Sequence, residues 1–302
     1  SYRTDASNLI TDDPKYRYAP FWSVGLGWQI YKENFMSTIK WIDRMNVRAT
    51  FGYNGNVDRS TSFRPLIATA GSQNIYTGDY TATVSSFGNP TLRWEKTRTW
   101  NIGLDYSLFR GKLYGKIDVY NKYGKDLIAQ LSIPAINGTT SQRLNNAEMS
   151  NRGIELELGT HMKITRALTW RGNLNFSYNK NTIEKLFIAT YAASTLYSGG
   201  TGAYVVGEDA NSLWRFVYAG VINNQPSVYG ADGTTYTFAA FTPGDGRDYM
   251  KNTGTLVAPY TLGFSSAFQY KDFNLSFMLT GKFGHVFQRL GFNYPPTWAS
   301  RV

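Results

Sequence analysis

Along most of this 302-residue chain, side chains alternate between apolar and polar with a period of two. Successive residues of a β-strand point to opposite faces, so a sustained alternation predicts strands with one greasy and one polar side. From Trp22 the even positions read Trp22, Val24, Leu26, Trp28, Ile30, with Ser23, Gly25, Gly27 and Gln29 between them. The next stretch sets Met45, Val47, Ala49, Phe51 and Tyr53 against Asn46, Arg48, Thr50, Gly52 and Asn54. The pattern returns at Trp100 to Tyr106, Leu113 to Tyr123, Ile154 to Leu158, Trp170 to Tyr178, Leu262 to Tyr270 and Leu275 to Phe283, eight strands in all.

Two environments suit such strands: a soluble sandwich with the apolar face inside, or a membrane barrel with that face turned to lipid. Length separates them. Several stretches run to ten residues or more, whereas a soluble strand is typically ~5–6 and a tilted membrane-crossing strand ~9–11. Aromatics make up 16% of residues against 17% charged, a ratio of rings to charges that a water-facing surface does not need. Trp22, Tyr31, Trp94, Tyr106, Phe109, Tyr178, Tyr260, Phe273 and Phe283 fall near strand ends, where aromatic girdles meet headgroups. Lys96 and Arg98 fall in the apolar phase of their strand, and their place toward one end lets them snorkel at a cost of ~0–1 kcal/mol.

Composition excludes much else. There is no cysteine, hence no disulfide scaffold, thiolate zinc or cysteine nucleophile, and two histidines leave little for a metal or acid–base centre. No enzyme, cofactor or metal is expected. The net charge of +10 comes from Lys and Arg scattered among acids, and no nucleic-acid motif accompanies it. The first twenty residues show no basic-then-apolar leader, and no run approaches the ~20 apolar residues of a membrane helix.

The connections alternate too. Short links at Leu108 to Gly111, Lys163 to Ala167 and Lys271 to Asp272, with a moderate link from Tyr31 to Arg44 that could be a helical turn, contrast with long ones at Gly55 to Arg93, Gly124 to Asn151 and Asn181 to Pro259. Barrels of the bacterial outer membrane place short turns in the periplasm and long loops outside. Traced that way, the chain enters outside before Trp22 and leaves outside after Phe283, as expected for a piece of a larger barrel.

The segments NPTLRWEKTRTWNIGLDYSLF (Asn89 to Phe109) and YGKIDVYNKYGKDLI (Tyr114 to Ile128) resemble the NPxLKWE, GLD and DxYxKxTxDLL signatures of SusC/RagA-family TonB-dependent transporters. RYAPFWSVGLGWQI (Arg17 to Ile30), VRATFGYNGN (Val47 to Asn56), MSNRGIELEL (Met149 to Leu158), NLNFSYNKNTIEKL (Asn173 to Leu186), VYAGVI (Val217 to Ile222) and FNLSFMLTGKFGHVF (Phe273 to Phe287) follow in the family's order. The resemblance implies an all-β transmembrane antiparallel barrel, here the C-terminal portion of one of about 22 strands. Residues 1–302 are then part of one TonB-dependent receptor-like barrel domain, without the family's plug, TonB box and remaining strands. Where the family often carries an acidic DxNxDGxID loop, this chain has PGDGRDYM (Pro243 to Met250), and Asp232-Gly233 and Asp245-Gly246 are expected to be turns.

The function so implied is outer-membrane import of oligosaccharides or peptides, with a SusD-like lipoprotein, TonB acting through the N-terminal part, and possible dimers of such pairs. Outer-membrane lipid and lipopolysaccharide would surround the wall. The alternative is a non-transporting scaffold or accessory subunit of an assembly, secretion or adhesion complex; a free-standing eight-stranded barrel would have a lumen filled by side chains. Candidate lumen-facing residues are Arg48, Asp105, Lys116, Asp118, Glu155, Glu157, Arg171 and Lys282. They either grip plug or substrate or form a hydrated wall of compensating charges. Glu155 and Glu157, about 7 Å apart at i and i+2, have no cleft that would make them a hydrolytic pair. In the long loops, Tyr191, Tyr197, Tyr204, Trp214, Tyr229 and Tyr236 are candidates for stacking on sugars, clamping peptides or meeting a lid. Asn137-Gly138-Thr139 matches a glycosylation sequon and reads as a loop turn.

Overall fold

The alternating stretches pair into one antiparallel wall. The structure, a computed structural model, describes residues 1–11, 13–134, 136, 141–188, 191–197, 203–237 and 244–289. Strands of the wall are β1 (Tyr2–Ala6), β2 (Tyr18–Gln29), β3 (Ile42–Asn56), β6 (Glu95–Leu108), β7 (Leu113–Ser132), β8 (Ser141–Lys163), β9 (Leu168–Lys185), β15 (Tyr260–Tyr270) and β16 (Phe273–Phe283). They form a nine-stranded sheet in the order β1-β2-β3-β6-β7-β8-β9-β15-β16, with β1 and β16 as its two edges. All eight expected strands are present in sequence order. The ninth, β1, is an addition: five residues with too short an alternation to stand out, pairing Tyr2 with Trp22 through Ala6 with Tyr18.

The register shows which side chains share a face. One row runs Leu26, Ala49, Ile102, Val119, Ile154, Tyr178, Tyr260, Phe283 across eight strands. The row one residue over, on the other face, runs Gly27, Arg48, Gly103, Asp118, Glu155, Ser177, Thr261, Lys282. The apolar side is the uncovered one: Leu26 is 75% exposed, Leu279 62% and Ile102 53%. Large apolar groups left open on that scale fit a surface that hydrocarbon covers. The wall is a piece of a transmembrane β-barrel.

Both ends of the wall match the expected alternation of links. At the turn end, Phe109, Arg110 and Gly111 reverse the chain with φ of 57°, 61° and 74°, and Lys271 with Asp272 closes the last hairpin between the paired Tyr270 and Phe273. Between β2 and β3 lie two short 3-10 turns, Ile30–Lys32 and Asn34–Met36.

At the loop end the long connections are more ordered than expected. The link from Gly55 to Arg93 holds a hairpin of β4 (Leu66–Gln73) and β5 (Tyr80–Ser86). Most of the segment from Gly124 to Asn151 is strand, because β7 and β8 run to 20 and 23 residues and pair well past the apolar band. Their alternation breaks at a bulge between Gly124 and Leu127, which hid the continuation from the sequence. Asp126, in the bulge, has φ 59° and is held by Arg93 at 2.6 Å.

The segment from Asn181 to Pro259 carries a folded unit with its own core. It comprises α2 (Ala193–Leu196), β10 (Ser212–Arg215), β11 (Val217–Ile222), β12 (Gln225–Tyr229), β13 (Thr235–Thr237) and β14 (Lys251–Thr255). Tyr191, Leu196, Ala203, Val205, Trp214, Val228, Tyr249 and Met250 pack together in its centre. A smaller cluster of Ile10, Ala19, Phe21 and Trp94 sits behind the loop end of β2, beside the single turn α1 (Pro14–Arg17). Trp94 therefore belongs to a core and not to the girdle: its indole N–H donates to the Arg17 carbonyl at 3.0 Å and its ring meets Phe21 edge-on at 5.4 Å.

Candidate functional site

The polar face of the wall gathers most of the charges singled out in the sequence. Arg48 of β3 reaches across two strands: its Nε donates to Asp105 Oδ2 at 2.7 Å, and one Nη donates to Asp105 Oδ1 and to Asp118 Oδ1, both at 3.2 Å. This fork on β6 and β7 is possible because the residue between them is Gly103. A Cβ there would sit 2.6 Å from Asp118 Oδ1 and 2.7 Å from the Arg48 guanidinium. Gly103 thus serves the charge bridge.

Lys116 stands 4.0 Å from Glu157 on β8, and Glu155 is directly opposite Asp118. Two adjoining hollows, of about 810 and 980 Å³, share Lys116, Asp118, Glu155 and Glu157; Lys282 closes the first, while Arg48 and Asp105 line the second. Arg171 lies on the same face but apart, opposite His161 and Ala267 near the turn end. The eight candidates, four cations and four carboxylates, balance one another in charge, and Arg44 and Lys122 share their face. Partly exposed pairs of this kind contribute little to stability, so the network fixes side-chain positions more than it holds the wall together.

The loop candidates divide by burial. Tyr191 and Trp214 are core residues, 5% and 7% exposed, because the unit between β9 and β15 needs an interior of its own. Tyr236 packs against that core, 6.1 Å from Tyr249. Tyr197 is partly open and lies under the Arg215 guanidinium at 4.9 Å. Tyr229 and Tyr204 are exposed. Tyr204 lines a third hollow at the loop end with Asn56, Asp58, Arg59, Glu95, Gln130 and Arg143.

That hollow was missed in the sequence, since its residues come from segments read as separate loops. The signal was the NPTLRWE run itself. Asn89 is fully buried, and its amide donates to Asn145 Oδ1. Asn145 in turn donates to the carbonyls of Arg93 and Asp126 at 2.9 and 2.7 Å. Glu95 accepts from the Ile128 amide and from Asn56, both at 2.9 Å. The motif pins three strands together at the mouth of the wall.

Asp232 and Asp245 are turn residues, as expected. Asp232 accepts from the Thr234 amide and hydroxyl, and Asp245 caps a 3-10 turn at Gly246–Asp248. The paired hydrogen bonds from Arg247, at 2.9 and 2.8 Å, hold the Asp245 carboxyl below its ordinary pKa. Among the described residues no group of three or more metal-ligating side chains occurs. Pro243 and Asn137-Gly138-Thr139 lie outside the described residues.

A long wall, exposed apolar on one face and charge-paired on the other, with short turns at one end and folded loops at the other, is the architecture of a transmembrane β-barrel wall. The family model for "TonB dependent receptor-like, beta-barrel" matches residues 1–297. The chain belongs to that family. Among curated relatives, TonB-dependent receptor P26 of Formosa agariphila is 28% identical over 297 residues, 94% of this chain and 30% of the relative. TonB-dependent receptor SusC of Bacteroides thetaiotaomicron is 29% identical, covering 92% of this chain and 28% of SusC. Among solved structures, the RagAB peptide transporter matches with a TM-score of 0.75 at 25% identity, over 92% of this chain and 30% of that one. The RagAB peptide importer in its closed-closed state gives 0.76 at 26% identity, over 94% and 31%. The chain spans about a third of the length of these TonB-dependent receptors, as the SusC/RagA resemblance implies.

Proposed function

We propose that this chain is the C-terminal barrel portion of an importer in the bacterial outer membrane, moving oligosaccharides or peptides inward. The polar face, with Arg48, Asp105, Lys116, Asp118, Glu155, Glu157, Arg171 and Lys282, lines the lumen. Tyr197, Tyr204 and Tyr229 present rings at the outer mouth, while Tyr191, Trp214 and Tyr236 hold the unit that carries them. The observation that carries this reading is the pairing of faces: apolar side chains open on one side, a charge-balanced network on the other. A hydrated wall of paired charges passes uncharged sugars and zwitterionic peptides without trapping them.

Likeness to SusC and to the RagAB transporters supports a SusD-like lipoprotein as lid, TonB as the source of work through the N-terminal part of the full protein, and dimers of such pairs. No covalent chemistry is involved. The test is uptake of fluorescent maltooligosaccharides and of a mixed peptide pool by cells carrying the full-length protein, against cells lacking it, with and without collapse of the proton gradient. Import of either pool that needs both the protein and the gradient supports the reading. Equal uptake in the two strains overturns it.

A further inference from the structure

The charges on the outward face are arranged quite differently from those of the polar row. Beyond the apolar band, toward the loop end, the outward phase of β6 to β9 carries Lys96, Arg98, Lys125, Arg152, Lys180 and Lys185. Two pairs of like charge stand directly opposite one another: Lys96 faces Lys125, and Arg152 faces Lys180. Like charges in facing positions destabilise a sheet. Two carboxylates answer them in part, Glu184 at 3.5 Å from Arg152 and Glu148 at 3.9 Å from Lys185. No described carboxylate lies within ion-pair distance of Lys96, Arg98, Lys125 or Lys180. Arg98 rests on the ring of Tyr123, 5.5 Å from its centroid, which keeps the guanidinium at the wall, and the Tyr123 hydroxyl donates to Glu148.

The height of this group matters as much as its charge. Tyr260 and Phe283, at the loop ends of β15 and β16, share a register row with Ile102 in the middle of β6. The membrane boundary therefore steps along the ladder from strand to strand. At a tilt of ~35–45° the step is about 4 Å, a little more than one residue per strand. Followed from Phe283 and Tyr260, the boundary reaches Lys180 on β9, Arg152 on β8, Lys125 on β7 and Lys96 on β6. Arg152 and the uncompensated Lys96, Lys125 and Lys180 stand at the level of the outer aromatic girdle, directly above the apolar strip of Ile102, Val119, Ile154 and Phe176.

We infer that this belt is a binding site for the phosphorylated sugar headgroup of an outer-leaflet glycolipid, the lipid A part of lipopolysaccharide, with its acyl chains on the apolar strip below. The inference rests on the outer-membrane reading above. Charge complementarity selects the occupant: the belt is about 14 Å wide across four strands, faces away from the lumen, and lies where only lipid headgroups are abundant. Anions between Lys96 and Lys125, and between Arg152 and Lys180, relieve the like-charge repulsion that the bare wall retains.

The test uses the full-length protein purified from outer membranes in mild detergent. Bound lipopolysaccharide is read by native mass spectrometry for the unaltered protein, for Lys125→Gln/Lys180→Gln, and for Lys163→Gln/Lys271→Gln at the opposite end of the wall. Retention should fall roughly twentyfold for the first pair, each cation near an anionic surface being worth about a factor of five, and stay unchanged for the second. Added diphosphoryl lipid A should rebind to the delipidated protein, and lipid A stripped of its phosphates should not. Equal retention by the two double variants, or equal rebinding of phosphorylated and stripped lipid A, overturns the inference. Absence of the unaltered protein from the outer-membrane fraction would instead overturn the barrel reading, so the two failures are distinguishable.

Discussion

The wall and the folded unit between β9 and β15 use the same residues in opposite ways. In the wall, Trp22, Trp28, Tyr260 and Phe283 point outward and stay open; in the unit, Tyr191, Trp214 and Tyr249 point inward and are closed over. The difference lies in the solvent each part meets. A membrane strand sheds its apolar face into lipid and needs no interior, whereas a segment in water must build one from its own rings. An aromatic count therefore says little about position until the local period is known.

The sharpest way to break this comparison is to remove a ring from the unit. Trp214→Ala should cost about 3–5 kcal/mol locally, as loss of a buried indole does. Limited proteolysis should then cut within 186–259 while the wall keeps its heat-modifiable mobility on a gel. Loss of both together would mean that the two parts are one cooperative body.

Next in size is a charge on the outward face. Ile102→Arg should lower folding yield into lipid by about 2–4 kcal/mol, the scale for a cation near the bilayer midplane. Asn175→Arg, on the polar face two residues from Ser177, should be tolerated. Equal yields for the two would reverse the assignment of faces.

A smaller effect probes the bridge on the polar side. Gly103→Ala should cost about 1 kcal/mol or less in urea titrations of the folded barrel, because the new methyl displaces a partly exposed ion pair. The cost should vanish when Arg48→Met has already removed the bridge, a coupling that a double-mutant cycle reads directly. Persistence of the cost would make Gly103 a backbone requirement instead.

The least effect concerns acid. Asp245 titrates below its ordinary value in the folded unit, so its contribution is complete above about pH 4 and is lost as pH falls through the lowered folded pKa. Proteolysis of the unit should quicken below that range, and Asp245→Asn should flatten the pH dependence. An unchanged pH profile in that variant would show that the cap is idle.

Legibility followed the same divide. The eight long strands, their order, the faces and the short turns could all be read, since lipid on one side and water on the other impose a strict period of two. The eight candidate charges fall in one phase of the alternation for the same reason. What joined them could not be read: the Arg48 fork depends on Gly103, and a glycine announces neither a bend nor a gap. Beyond the membrane the period loosens, so the continuation of β7 and β8 past Gly124 passed for loop. Tyr191 and Trp214 passed for contact residues because a core of short strands has no repeat to betray it. Trp94 was misplaced by its position at a strand end, where only the Arg17 carbonyl and Phe21 show that it turns inward.

The overhang of β7 and β8 has a mechanical consequence. Their ladder runs from the turn end to Ser132 and Ser141 with backbone hydrogen bonds set across the direction of the strands. Both strands of the hairpin leave the wall together with their ladder intact, so the overhang is a stiff arm and not a slack loop. Among the described residues its ladder is interrupted at the bulge around Asp126, and there Arg93 acts as a rivet to the neighbouring strand. The overhang is thereby fixed in position over the β6 to β9 part of the wall.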